Sequence, residues 1–294
     1  MLPRNETRLA YAFLTPALIV MTLCGAVPMA FVIYYSLHDT FAGNSFIWVG
    51  DAWYRQVLTS PEFYDALLRS LGFSAIVLAI EIPLGILVAL RLPTRGVMSS
   101  VYLVLLAIPL LTPYIVVGFL WKAMTLPKAG LLFETAHAIG LSFDMNSPVT
   151  TWLTLVLMDV WHWTSLVVLL CFAALRAIPD DYYRAARIDG ANRWAIFRYV
   201  QLPKLRLALL IALLLRFMDS FMIYSEAYVI GRGGPDVSTT FLSTELVQTA
   251  LIQFDLGEGG AMSVIYLVIV LLVSLAFFGR IVPKPARNGG AAKR

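Results

Sequence analysis

Five ionisable side chains fall within otherwise apolar stretches of the chain: Glu81, Asp159, Arg216, Asp219 and Glu226. Each costs roughly 2.5 to 3.5 kcal/mol to place at the centre of a bilayer, so such groups are suspects for function. Three chemistries fit them. In the first, Arg216 neutralises an acid, either Asp219 at i+3 or Asp159 from another stretch, and the ion pair holds helices together. In the second, Asp159, Trp161, Trp163, Arg216 and Ser220 project into a water-filled cavity. There, Asp159 and Ser220 hydrogen-bond hydroxyl groups while an indole face stacks on the C–H face of a sugar ring. Trp161 and Trp163 are two apart and point about 200° from one another on a helix, so at most one faces that cavity. An Arg216 open to the cavity would suit an anionic solute, such as a phosphate or sulfonate. The third chemistry is a proton relay, which is weaker because the acids form no continuous ladder. Glu81 and Glu226 sit near helix breaks or outer halves, and their spacing assigns them no role.

Other chemistry lacks its residues. The chain has no Gly-Lys pair for a P-loop, no CxxC or HExxH pattern and no GxSxG elbow. His38, His137 and His162 are too scattered for a metal site, and Cys24 and Cys171 lie in apolar runs as ordinary packing residues. An enzyme is not expected, no cofactor is expected on this chain, and energy for active transport must come from a partner or an ion gradient.

The stretches around these residues are membrane spans. Of 294 residues, 60% are hydrophobic and 14% charged, with a mean hydropathy of +0.79. That is too apolar for an average soluble domain. Six runs are long enough to cross a ~30 Å hydrocarbon core: 10–37, 71–92, 97–121, 149–175, 205–230 and 260–281. The fold class expected is all-α, a single polytopic domain over 1–294 with six transmembrane helices. The first run is too long for a signal peptide, and its Pro16 and Pro28 predict a kinked, tilted or partly interfacial helix. Pro109 and Pro113 predict a break in the third. The outward loop 38–68 is rich in aromatics and reads as an interfacial belt or as a contact for an external partner. The outward segment 122–148 reads as a short amphipathic piece without a fold of its own, and 238–251 as a re-entrant or surface helix.

Basic residues set the orientation. Arg55, Arg69, Lys122, Lys128 and Arg232 lie in the loops opposite the termini, Arg216 lies within a span, and all other Lys and Arg lie on the side of the termini. The positive-inside rule therefore places both ends in the cytoplasm, with a basic tail over 280–294. This asymmetry accounts for the net charge of +4, and no nucleic-acid partner follows from it.

The one long charged, helix-patterned segment between apolar runs is the loop 179–203, also on the cytoplasmic side. Pro179 suits the start of a helix, Asp180 and Asp181 can cap its free N–H groups, and Gly190 can close it. Ala185 and Ala186 leave a shallow side beside Arg184 and Arg187. Asn192 can cap a second short helix that carries Trp194 and Phe197 and that Pro203 stops. The pair forms a rigid elbow suited to docking.

At this elbow the chain resembles the permease subunits of bacterial ABC importers, whose cytoplasmic signature runs E-A-A, three residues, G, nine residues, I, one residue, L-P. Arg184, Ala185, Ala186, Gly190, Val200, Leu202 and Pro203 keep the spacing, with arginine for the glutamate and valine for the isoleucine. A polar contact made by that glutamate is thus altered or reversed in sign. Further matches are similar to the carbohydrate-importing branch: the Trp161 span, AALRAIPDDYY before the signature, FMDSF after it, GGP at Gly233, Thr239 with Thr240, and FDLGEGGAMS ahead of the last span. The resemblance implies a coupling helix, with Arg184, Ala185, Ala186, Arg187, Asp189, Gly190, Leu202 and Pro203 at the contact with an ATPase. It implies sugar contacts on the fourth and fifth spans, which favours Asp159, Arg216 and Ser220. It also implies the partners: a second homologous permease, two subunits that use ATP and magnesium, a periplasmic or surface solute-binding protein, and a sugar substrate, all at the bacterial inner membrane. The rival expectation is a secondary transporter or channel driven by an ion gradient, though no inverted repeat stands out.

Overall fold

In lipid every backbone N–H and C=O must find its partner within the segment, which leaves helices as the form available to these runs. The computed structural model describes residues 4–41, 45–141, 143–231 and 234–281. Among them, four helices are long and apolar enough to cross a membrane: Tyr11–Tyr35, Pro61–Arg91, Pro148–Arg176 and Leu256–Phe277. Two bent pairs complete the expected six, Val97–Leu110 with Tyr114–Met124 at 88°, and Arg193–Phe221 with Ser225–Gly231 at 41°. The protein is an all-α polytopic membrane protein. The expected tail over 280–294, apart from the last helical residues, and Arg232 and Gly233 lie outside the described residues.

Contacts divide the chain into two units, one of residues up to Tyr64 with Glu245–Leu271, the other of Asp65–Thr244 with residues from Leu272 on. In the first unit, α1 (Arg4–Met21) and α2 (Val27–Tyr35) join through a π-helical turn, Thr22–Ala26. The wider turn absorbs the missing donor of Pro28, so the proline does not break the span. The aromatic loop has more structure than a belt. It forms a hairpin of β1 (His38–Phe41) and β2 (Ser45–Trp48), with His38 opposite Trp48, followed by α3 (Ala52–Thr59). Trp53 Nε1 donates to the His38 carbonyl at 3.1 Å, and Ser36 Oγ lies 2.7 Å from the Tyr54 hydroxyl. The FDLGEGG motif has a packing reason in this unit: a Cβ at Gly257 would sit 2.5 Å from the His38 carbonyl oxygen, and one at Gly260 2.9 Å from Ser36 N.

The second unit holds most of α4 (Pro61–Arg91) with α5 (Val97–Leu110), α6 (Tyr114–Met124), α7 (Leu131–Ala138), α8 (Pro148–Arg176), α9 (Asp180–Ile188), α10 (Arg193–Ile196), α11 (Leu202–Phe221) and α12 (Ser225–Gly231). Helix α8 is the packed centre. Its Leu155, Met158 and Val160 meet Phe73, Val77, Val117 and Phe241 in one cluster, and its Val167, Val168 and Cys171 meet Ala89 and Leu205 in another. Small residues let backbones close up, as expected where lipid supplies no hydrophobic drive between helices. A Cβ at Gly85 would fall 2.5 Å from Val167 Cγ1, and one at Gly118 3.0 Å from Val229 Cβ. The stretch after 238 is docked rather than a free surface piece. It enters α13 (Leu242–Val247) with Phe241 and Leu242 buried and the Leu242 amide donating to Ser70 Oγ at 2.9 Å. Helix α14 (Leu256–Ile281) closes the described chain.

Two details of the elbow differ from expectation. Pro203 does not stop the second helix: α10 runs through a π segment, Phe197–Gln201, straight into α11, where the proline occupies the first turn and needs no donor. Asp180 and Asp181 make no cap bond. Both carboxylates turn instead to arginines, Asp180 to Arg95 at 3.3 Å and Asp181 to Arg184 at 3.5 Å.

Candidate solute site at a broken span

Arg216 lies in α11 with no exposure to solvent, and an isolated charge there would be prohibitive. Three carboxylates from three helices surround it. Glu81 of α4 grips it through two bonds, from Nε to Oε2 at 2.7 Å and from Nη2 to Oε1 at 3.0 Å. Asp159 of α8 accepts at 2.5 Å, and Asp219, one turn on in α11, accepts at 2.6 Å. The guanidinium carbon stands 4.6 Å from the centre of the Trp163 ring. The Tyr114 hydroxyl, in the first turn of α6 beyond the 88° break, donates to the other oxygen of Asp219 at 2.8 Å. One side chain thus ties α4, α8 and α11 together with charge-assisted bonds, the strong kind in a dry interior, and α6 joins through Asp219.

Beside this cluster α11 ends. Met222 N donates to the Asp219 carbonyl at 2.9 Å, the chain turns through Met222–Tyr224, and α12 restarts at Ser225. Irregular backbone at this depth is tolerated where it lines a cavity. A cavity of about 200 Å³ is present, lined by Tyr114, Asp159, Asp219, Met222, Tyr224 and Glu226, among others. Glu226 is buried and makes no ion pair among the described residues. The cavity therefore offers carboxylate oxygens as acceptors, phenol groups, and the flat ring of Tyr224, which stacks on Tyr228 at 5.6 Å. Such a lining suits a hydroxyl-rich solute.

Of the five residues expected at this site, only Asp159 lines the cavity. Arg216 sits behind it, its charge already outnumbered, so it offers an anionic solute no net attraction. Trp163 supports the guanidinium from below, whereas Trp161 lies 40% exposed and edge-on to Trp121, in keeping with the 200° between the two indoles. Ser220 is buried and donates to the Phe217 carbonyl at 3.3 Å. Sequence reasoning missed Tyr114, Tyr224 and Glu226 as cavity walls. A signal existed in their position, each within four residues of a helix break.

The elbow is the second candidate. Helix α9 ends in a complete Schellman motif: the Ala191 amide donates to the Ala186 carbonyl at 2.9 Å and that of Gly190 to Arg187 at 3.1 Å, with Gly190 at φ +73°. Asn192 Oδ1 then accepts from the Ala195 amide at 2.8 Å and starts α10. Arg184, Ala185, Arg187, Asp189 and Gly190 are exposed, Ala186 and Leu202 half-buried, and Pro203 exposed in the first turn of α11.

A family model described as "Binding-protein-dependent transport system inner membrane component" matches residues 81–286, a stretch that holds both the charge cluster and the elbow. The chain belongs to that family. It is therefore an inner-membrane transport component, not an enzyme. It is 32% identical over 284 residues to the trehalose/maltose transport system permease protein of Thermococcus litoralis, with 93% of each chain covered. It is 28% identical to a trehalose transport system permease protein of Mycobacterium tuberculosis, covering 97% of this chain and 93% of that one. Among solved structures, a bacterial ABC transporter involved in import of the acidic polysaccharide alginate matches with a TM-score of 0.76 and 20% identity, covering 95% of this chain and 98% of that one. That likeness concerns the fold.

Proposed function

We propose that the chain is one permease subunit of a binding-protein-dependent ABC importer that moves a sugar or sugar derivative inward across the bacterial inner membrane. Both termini and the elbow lie in the cytoplasm. The chain pairs with a second homologous permease, receives solute from an external binding protein, and is driven by two partner subunits that bind ATP and magnesium. ATP closes the paired ATPases, the elbows move together, and the permeases tilt so that the cavity changes sides. The solute sits against Asp159, Asp219 and Glu226, which accept from its hydroxyls, and against the rings of Tyr114 and Tyr224.

The observation that supports the sugar reading most is the 32% identity, over nearly the whole chain, to a trehalose/maltose permease. The rival, an ion-driven transporter, has less support because the matching family is one of binding-protein-dependent components. Reconstitution of the assembly with its binding protein tests the proposal. Sugar-loaded binding protein should stimulate ATP turnover, and Glu226→Gln should lower that stimulation several-fold while the assembly stays intact. Solute uptake by this chain alone in liposomes would sink it.

A further inference from the structure

We propose that the surface receiving the elbow is acidic: the ATP-hydrolysing partner presents carboxylates to Arg187 and Arg198 around an apolar recess that takes Ile188 and Trp194. The inference rests on reading the elbow as the contact with that partner.

The elbow has already used two of its own acids. Asp180 is paired with Arg95 and Asp181 with Arg184, while Lys204 lies 4.8 Å from the centre of the Tyr182 ring. Arg187, Arg193 and Arg198 are exposed and have no acidic partner among the described residues, and against them stands one exposed, unpaired carboxylate, Asp189. The outward surface is therefore basic. Ile188 is 86% and Trp194 69% exposed, which gives the elbow apolar surface for a partner to cover. Arg187 and Ile188 lie three and four residues beyond Arg184, so all three share one face of α9. A basic receiving surface would repel these guanidinium groups, and an apolar one would strip their water without replacing it. An anionic lipid surface offers the same charge, but it would repel Asp189, the unpaired acid that ends the same short helix. A protein surface can place its carboxylates opposite the arginines alone.

The test uses the assembled transporter in nanodiscs, captured through this chain, with retention of the ATPase subunit measured against salt. Retention in the unmodified assembly should fall as salt rises. Arg187→Glu with Arg198→Glu should cut it about tenfold or more, whereas the double lysine variant should keep most of it. Cross-linking from Arg187→Cys should land beside an Asp or Glu of the ATPase, and changing that acid to Lys should restore retention by Arg187→Glu. Undiminished retention by the double glutamate variant overturns the inference, as does cross-linking to a basic or uncharged surface. Retention that follows the anionic lipid content of the disc, whatever the variant, overturns it too. If the unmodified assembly holds no ATPase at any salt, the reading of the elbow itself fails, which sets that outcome apart from the others.

Discussion

Arg216 and Arg187 carry the same guanidinium, yet one is fully buried among three carboxylates and the other is exposed with no acid paired to it among the described residues. The interior charge meets its counter-charges within the chain and bonds α4, α8 and α11 together. The exterior charge has no counter-charge among the described residues, which leaves it free for the partner proposed above. Identical chemistry is thus structural or adhesive according to whether its counter-charge is built in, and a count of charged residues says nothing about which.

The comparison breaks most sharply at the interior. Arg216→Ala leaves Glu81 and Asp159 buried without their cation and should destabilise the protein by about 3 to 5 kcal/mol, seen as a lowered melting temperature in detergent. Replacing Arg216, Glu81 and Asp159 together by apolar residues of similar size should recover much of that loss, which separates pairing from packing. At the elbow, Gly190→Val forces a β-branched residue to φ +73° and should cost on the order of 1 to 3 kcal/mol locally, read as faster amide exchange over 185–195. Asn192→Ala removes the cap on the Ala195 amide and should cost about 1 kcal/mol by the same measure. Arg187→Ala should leave the melting temperature unchanged, since no acid among the described residues pairs with it. A clear drop there would erase the contrast between the two arginines.

Much of this was legible in the sequence. The six spans follow from run length, the break in the third from Pro109 and Pro113, and the elbow from Gly190 and Asn192, whose effects are local. Asp219 as a partner of Arg216 follows from the i+3 spacing. Glu81 did not, because it lies 135 residues from Arg216 and only helix packing joins them. Tyr114 and Glu226 were hidden for the same reason: a cavity wall is a product of where two breaks meet. Asp180 and Asp181 misled because a carboxylate in a first turn suits a cap equally well as an ion pair; Arg95 on a distant link decided for Asp180, and Arg184, three residues on, for Asp181. Pro203 misled because a proline ends a helix only when its missing donor is needed, and a π turn before it removed the need.

That turn has one more consequence. Because the winding never stops between Arg193 and Phe221, the aromatic foot of the elbow and the floor of the solute cavity are opposite tips of a single rod, roughly 40 Å long at ~1.5 Å per residue. The π segment Phe197–Gln201 is the one departure from α winding along it. If a partner drives the elbow as proposed, a push at Trp194 is carried along this helix toward Asp219 and the turn at Met222.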